Sequence, residues 1–293
     1  MEQVFNILPP RIRVQLQRLS PEEWMDVEEI RLRTGRPPQI LARDGERELE
    51  GPVTAGELDQ MLELASRASV HTVLPQLRQG YLTLRGGHRL GVCGSVHLRD
   101  GQLHAIAPVS SLNLRVAKQV RGTGEGVMPR LCDGGRFVST LILAPPGAGK
   151  TTLLRDVVRC LADGVGCPAR RVGLADERGE VAAMYRGKPQ LDVGGRTDVM
   201  EGCSKAQALL LLLRGMNPQV LAADEITAAE DIRAMEQAAG CGVALLATAH
   251  GADRRDLTRR GLYRELLELG VFQNLLTIRV EGGRRTYEVE GLE

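Results

Sequence analysis

The chain has 293 residues, comfortable for two domains and long for one core. Hydrophobic residues make up 43% and charged residues 26%, an ordinary globular balance, and a formal net charge of +1 gives no global pull toward nucleic acid or anionic lipid. The six cysteines show no CxxC spacing, which argues against zinc and against a disulfide framework.

The first residues lack a basic segment followed by a long apolar one, so no signal peptide is expected. The longest apolar run, 208–213, is far short of the roughly 20 residues a spanning helix needs. Both features predict a cytoplasmic protein. Ser20-Pro-Glu-Glu23 sets an N-cap before Pro and a Glu at the third helical position, predicting a helix start. Residues 39–42 and 47–50 flank Asp44-Gly45, a two-residue hairpin signal. Thr54-Ala-Gly-Glu57 repeats the capping box and opens an amphipathic helix through Leu58, Met61, Leu62 and Leu64. Short strands at 81–84, 89–97 and 106–116, punctuated by Gly86-Gly87 and Asp100-Gly101, complete an α+β domain over 1–118. Gly122-Thr-Gly-Glu-Gly126 has the composition of a linker.

From Phe137 the rhythm changes. Apolar strands at 137–143, 171–175, 219–223 and 243–248 alternate with helices after residue 150, from Ser204, from Thr227 and over 254–269. A terminal hairpin, 275–280 and 286–289, turns at Glu281-Gly-Gly283. Such alternation predicts a mostly parallel sheet with helices on both faces over 119–293.

Between the strand at 137–143 and the helix that follows lie Ala144, Pro145, Pro146, Gly147, Ala148, Gly149, Lys150, Thr151 and Thr152. This is the strand–loop–helix setting of a nucleoside-triphosphate phosphate loop, with Ala144 where a first Gly usually stands. Gly147 and Gly149 let backbone N–H groups approach phosphate oxygens, Lys150 adds a point charge, and Thr151 offers a hydroxyl to Mg²⁺. The expected fold is therefore α/β, a RecA-like P-loop NTPase core with a smaller N-terminal α+β domain. The run 219–225 ends in Asp224-Glu225 and is expected on a strand next to the phosphate-loop strand. Asp224 would bind Mg²⁺ there and Glu225 would orient or deprotonate the attacking water.

Three further segments fall at predicted strand ends. Ala175-Asp-Glu-Arg-Gly-Glu180 could position Mg²⁺ or water through Asp176 and Glu177, or be a solvated loop. Thr248-Ala-His250 could sense a γ-phosphate, or His250 could be a structural hydrogen-bonder. Arg196 could contact phosphate or a neighbouring subunit, or form a salt bridge.

These segments together resemble the stage III sporulation protein AA family, itself similar to type II and type IV secretion ATPases. The N-terminal runs 29–38 and 84–94 share the resemblance, which thus covers nearly the whole chain. It implies ATP and Mg²⁺ as ligands and a homo-oligomeric ring, expected to be a hexamer. It also implies a mother-cell motor, held peripherally at a membrane by integral-membrane components of the channel to the forespore. The acidic and His boxes of secretion ATPases fall loosely on Asp176-Glu177 and His250. In a ring, Arg85, Arg89 or Arg115 could reach a neighbour's nucleotide, or be ordinary exposed arginines. The alternative is a nucleic-acid translocase, for which Arg254, Arg255, Arg259, Arg260 and Arg264 would form a basic stripe. Aromatic residues make up only 3% of the chain, so stacking platforms are scarce and nucleic acid is not the expected partner.

Overall fold

The structure is a computed structural model that describes residues 2–66, 77, 80–282 and 284–292. Two compact units emerge: Met1–Lys118 with Tyr185–Gln190, and Gln119–Met184 with Leu191–Glu293. Residues 185–190 thus cluster with the first unit, although their place in the sequence assigns them to the second domain.

The first unit is an antiparallel six-stranded sheet in the order Gly45–Glu48, Gln39–Ala42, Val27–Arg33, Gln102–Arg115, Arg89–Arg99, Tyr81–Thr83. Its core joins Ile30, Leu90, Leu112 and Leu114 from the strands to Ile12, Leu16, Trp24, Leu58 and Met61 from the helices. Both capping boxes form: Ser20 and Thr54 each accept a backbone N–H from the glutamate three residues on. Two details differ from expectation. The first hairpin turns on Arg43-Asp44, because Ala42 pairs with Gly45, and Leu64 points outward at 42% exposure. His88 is buried and its Nδ1 accepts the Ala117 N–H at 3.0 Å.

In the second unit the seven-stranded sheet runs Thr197–Met200, Val172–Ala175, Val220–Ala223, Ala244–His250, Thr140–Ala144, Asn274–Glu281, Arg284–Gly291. All neighbours are parallel except the last pair. The near-continuous burial of the central strands matches their apolar sequence, since helices cover both faces. This is the RecA-like core. One expectation fails: the strand leading to Asp224 is not beside the phosphate-loop strand, because Ala244–His250 lies between them. The separation opens a gap at the C-terminal edge, into which the end of the intervening strand delivers Thr248 and His250.

The segment 122–126 is not a free linker. Gly124 donates its N–H to Asp156 Oδ2 at 2.7 Å, and a Cβ on Gly124 would stand 2.7 Å from the Asp156 carbonyl carbon. Arg159 ties the same place together, bonding Asp156 and Glu125, both at 2.8 Å, and the Asp156 hydrogen bond holds its proton more tightly than usual. The expected helix over 254–269 is two helices, Arg254–Arg259 and Gly261–Glu268, broken at Arg260, which is extended at ψ 120°. Arg260 bonds the His250 carbonyl and Asp256, so the basic stripe is interrupted there. Among the described residues no helix is long and apolar enough to cross a membrane.

Candidate functional site

Everything in the site follows from where parallel strands end. Thr140–Ala144 delivers the loop 144–149 to the start of the helix Lys150–Asp163. Ala144 is fully buried, pairs with His250 across the sheet and avoids the left-handed region, so its Cβ is accommodated. Gly147 (φ 75°) and Gly149 (φ 101°) do occupy that region, where a side chain would be strained. Pro145, Pro146 and Gly147 are exposed, Ala148 is buried, and Thr151 and Thr152 are half-buried at the helix start. The loop leads into the N-terminus of that helix, where the helix dipole favours an anion.

Lys150 is buried, and its Nζ lies 2.8 Å from His250 Nδ1 and 3.4 Å from the Ala144 carbonyl. Burial lowers its proton affinity, and the Asp224 and Glu225 charges partly restore it. A lysine ammonium only donates, so His250 Nδ1 must accept. His250 Nε2–H then faces Glu225 Oε1 at 3.1 Å. The other Glu225 oxygen accepts from Arg178 at 2.9 Å. Lys150, His250, Glu225 and Arg178 thus form one continuous chain of donors and acceptors.

Asp224 sits between two hydroxyls: Thr151 Oγ1 donates to Oδ2 and Thr248 Oγ1 to Oδ1, both at 2.7 Å. Thr248 Oγ1 also accepts the Glu225 N–H at 2.8 Å. Glu225 has φ 47°, a left-handed backbone costing a non-glycine residue roughly 1–2 kcal/mol. The fully buried Thr248 therefore holds a strained peptide in place. A hydroxyl and a carboxylate side by side are hard oxygen donors that fit Mg²⁺ beside a phosphate.

The acidic loop divides its two carboxylates. Asp176, nearly fully buried, accepts the N–H groups of Glu180, Val181 and Ala182. Burial raises its pKa, and those three bonds oppose the rise. Those bonds fold the loop back on Asp176 and give its carboxylate a structural part. Arg155, on the phosphate-loop helix, donates to the Val181 carbonyl and, at 2.6 Å, to that of Glu180, tying this loop to that helix. Glu177 turns to the buried Lys205 at 2.6 Å, while still lining one small cavity with Arg178, Asp224 and Glu225.

The remaining predicted arginines lie elsewhere. Arg196 precedes Thr197–Met200 at the edge of the sheet opposite the phosphate loop and bonds the Ala162 carbonyl at 3.2 Å, out of reach of its own chain's phosphate site. Arg85 and Arg89 belong to the first unit, where Arg89 stacks 3.6 Å over the Tyr81 ring. Sequence reasoning missed Arg178, although it adjoins Asp176-Glu177, and Lys205, although it follows the Ser204 cap. It also missed Arg285, which has no motif.

A RecA-like sheet with a phosphate loop, an Asp-Glu strand end and a His between them defines the class: a P-loop protein with the fold of secretion ATPases. In solved structures the same fold occurs in the pilus retraction motor PilT with bound ADP (TM-score 0.64, 15% identity, 99% of this chain and 82% of that one). It occurs again in the Legionella pneumophila ATPase DotB (TM-score 0.59, 15% identity, 96% and 80%). The chain belongs to the family described as sporulation stage III, protein AA, whose model matches residues 1–292. It is 35% identical to stage III sporulation protein AA of Bacillus subtilis (strain 168), over 95% of this chain and 91% of that protein. A more distant relative, SEEDLING PLASTID DEVELOPMENT 1 of Arabidopsis thaliana, is 27% identical over 86% of this chain but only 34% of its own length.

Proposed function

We propose that the chain binds ATP with Mg²⁺ and hydrolyses the γ-phosphate, and that it does so as a motor of the secretion-ATPase type. The observation that carries this reading is the convergence of Lys150, Thr151, Asp224, Glu225 and His250 on one edge of the sheet. The loop N–H groups and Lys150 hold the β- and γ-phosphates. Thr151 and Asp224 hold Mg²⁺, which neutralises phosphate charge. Glu225 orients the attacking water and takes its proton, while His250 touches both Lys150 and Glu225 and reports whether a γ-phosphate has displaced Lys150. Membership of the sporulation family and the secretion-ATPase fold support the wider reading. In it the chain forms a homo-oligomeric ring, a hexamer, on the cytoplasmic face of a membrane, held there by integral-membrane components of the channel between mother cell and forespore. Domains at 1–118 and 119–293 then serve as the moving part and the ATPase. Arg85 or Arg89 completes a neighbour's site in trans.

The test is nucleotide binding and phosphate release by the native chain, Lys150→Ala and Glu225→Gln. Lys150→Ala is expected to lose most ATP affinity, and Glu225→Gln to bind ATP with Mg²⁺ yet turn over very slowly. Unchanged affinity in the first variant would overturn the phosphate-loop reading, and normal turnover in the second would move the base elsewhere.

A further inference from the structure

The terminal hairpin overhangs the sheet edge at which the nucleotide is proposed to sit. Thr277 is level with Leu143 across the sheet, and Val280, three residues on, pairs with Arg285. Three residues of strand span roughly 10 Å, so the pair stands past Ala144, beside the phosphate loop. Alternation then fixes the face. Tyr287 and Val289 pack on the core cluster that holds Leu153 and Val157 of the phosphate-loop helix, so Arg285 continues the same face toward the start of that helix. Its Nε donates to the Ala148 carbonyl at 2.9 Å, and it would lie 3.3 Å from a Cβ at Gly149.

Arg159, Arg260 and Arg279 of this unit bond carboxylates, whereas Arg285, like Arg155 and Arg196, bonds a backbone carbonyl. Among the described residues no carboxylate bonds Arg285, and its guanidinium stands at the Ala148 carbonyl and Gly149 of the loop. A guanidinium carries five N–H donors, so with Nε on one carbonyl its terminal fork remains to meet an anion.

Resting on the reading that this loop holds ATP, we infer that Arg285 is a cis contact to the nucleotide's α- and β-phosphates. It closes the cradle on the flank away from Asp224 and Glu225. The two flanks of the Thr140–Ala144 strand divide the work. The side of Ala244–His250 carries the water and γ-phosphate chemistry, and the side of the hairpin carries the diphosphate that ATP and ADP share.

The experiment measures equilibrium affinity for ATP, ADP and AMP in the native chain, Arg285→Gln and Arg285→Lys, together with nucleotide-free melting. Arg285→Gln is expected to weaken ATP and ADP by the same factor, about tenfold or more for one lost charge-assisted hydrogen bond, and Arg285→Lys to recover part of it. Equal ATP and ADP affinities in native and Gln variants would overturn the inference. So would loss for ATP alone, which would put the guanidinium on the γ-phosphate. A lowered nucleotide-free melting temperature with affinities intact would make Arg285 a staple for the loop, again overturning it. Failure of the native chain itself to bind nucleotide is a different outcome and overturns the proposed function, and this inference with it.

Discussion

Replacing Thr248 by valine keeps the shape of the side chain and deletes one hydroxyl, which makes it a clean probe of how Glu225 is held. That hydroxyl serves two partners, donating to Asp224 and accepting from the Glu225 N–H, in a position with no exposure to water. Leaving a buried N–H unpaired costs about 1–3 kcal/mol, and losing a hydrogen bond to a carboxylate about as much again. Relaxation of the left-handed Glu225 backbone returns roughly 1–2 kcal/mol. The expected net loss centres near about 2.5 kcal/mol, which for a unit of this size lowers the melting temperature by roughly 5–10 °C. Kinetics give a second readout. With Glu225 released from its fixed peptide, turnover is expected to fall by about tenfold or more, while ATP affinity changes little because Lys150 and the loop are untouched. Thr248→Ser, which retains the hydroxyl, is expected to behave as native in both assays. Native melting and native turnover in Thr248→Val would refute the argument, since the hydroxyl would then not be what pins Glu225.

Three further outcomes are expected. Burial holds His88 down at about 4, below the imidazole value of 6.5, so its contribution to stability is full above pH 6.5 and lost as pH falls through 4. That loss amounts to about 3 kcal/mol, and His88→Asn, which can still accept from Ala117, should flatten the acid limb of a denaturant titration, whereas an unchanged limb would show that His88 is not the titrating group. Gly124→Ala is expected to lower stability by about 1–3 kcal/mol through backbone contact with Asp156 and Val157; Gly126→Ala, with nothing within 4 Å, serves as its control, and equal melting of the two variants would contradict the close approach. Arg89→Ala subunits mixed with Lys150→Ala subunits, each inactive alone, should regain phosphate release if the arginine acts in trans; no regain in verified mixed assemblies would confine Arg89 to its own chain.

What the sequence reveals of this molecule is what depends on neighbours along the chain. Capping boxes at Ser20 and Thr54, the Asp100-Gly101 turn and the loop 144–152 are local devices, and each lies where its residues predict. The apolar strands are equally legible, because burial on both faces leaves an uninterrupted run. The break at Arg260 shows where this stops. Periodicity continues through 254–269, but the Arg260 side chain bonds the end of a strand ten residues earlier, and the helix yields to that contact.

The candidate site divides the same way. Asp224 and Glu225 are readable as a pair after an apolar strand, yet their setting is not, because strand order is a long-range property. Only the insertion of Ala244–His250 between them and the phosphate loop places Thr248 on Asp224 and His250 between Lys150 and Glu225. Asp176 shows the converse. As a carboxylate in an acidic loop beside a strand end, it has the residue type and spacing of a metal or water ligand. What its residue type does not show is that the loop folds back to present three N–H groups to its oxygens. A carboxylate's setting is thus decided by backbone donors several residues downstream. Glu225 differs from Asp176 in that its carboxylate meets side chains, His250 and the exposed Arg178, rather than backbone donors.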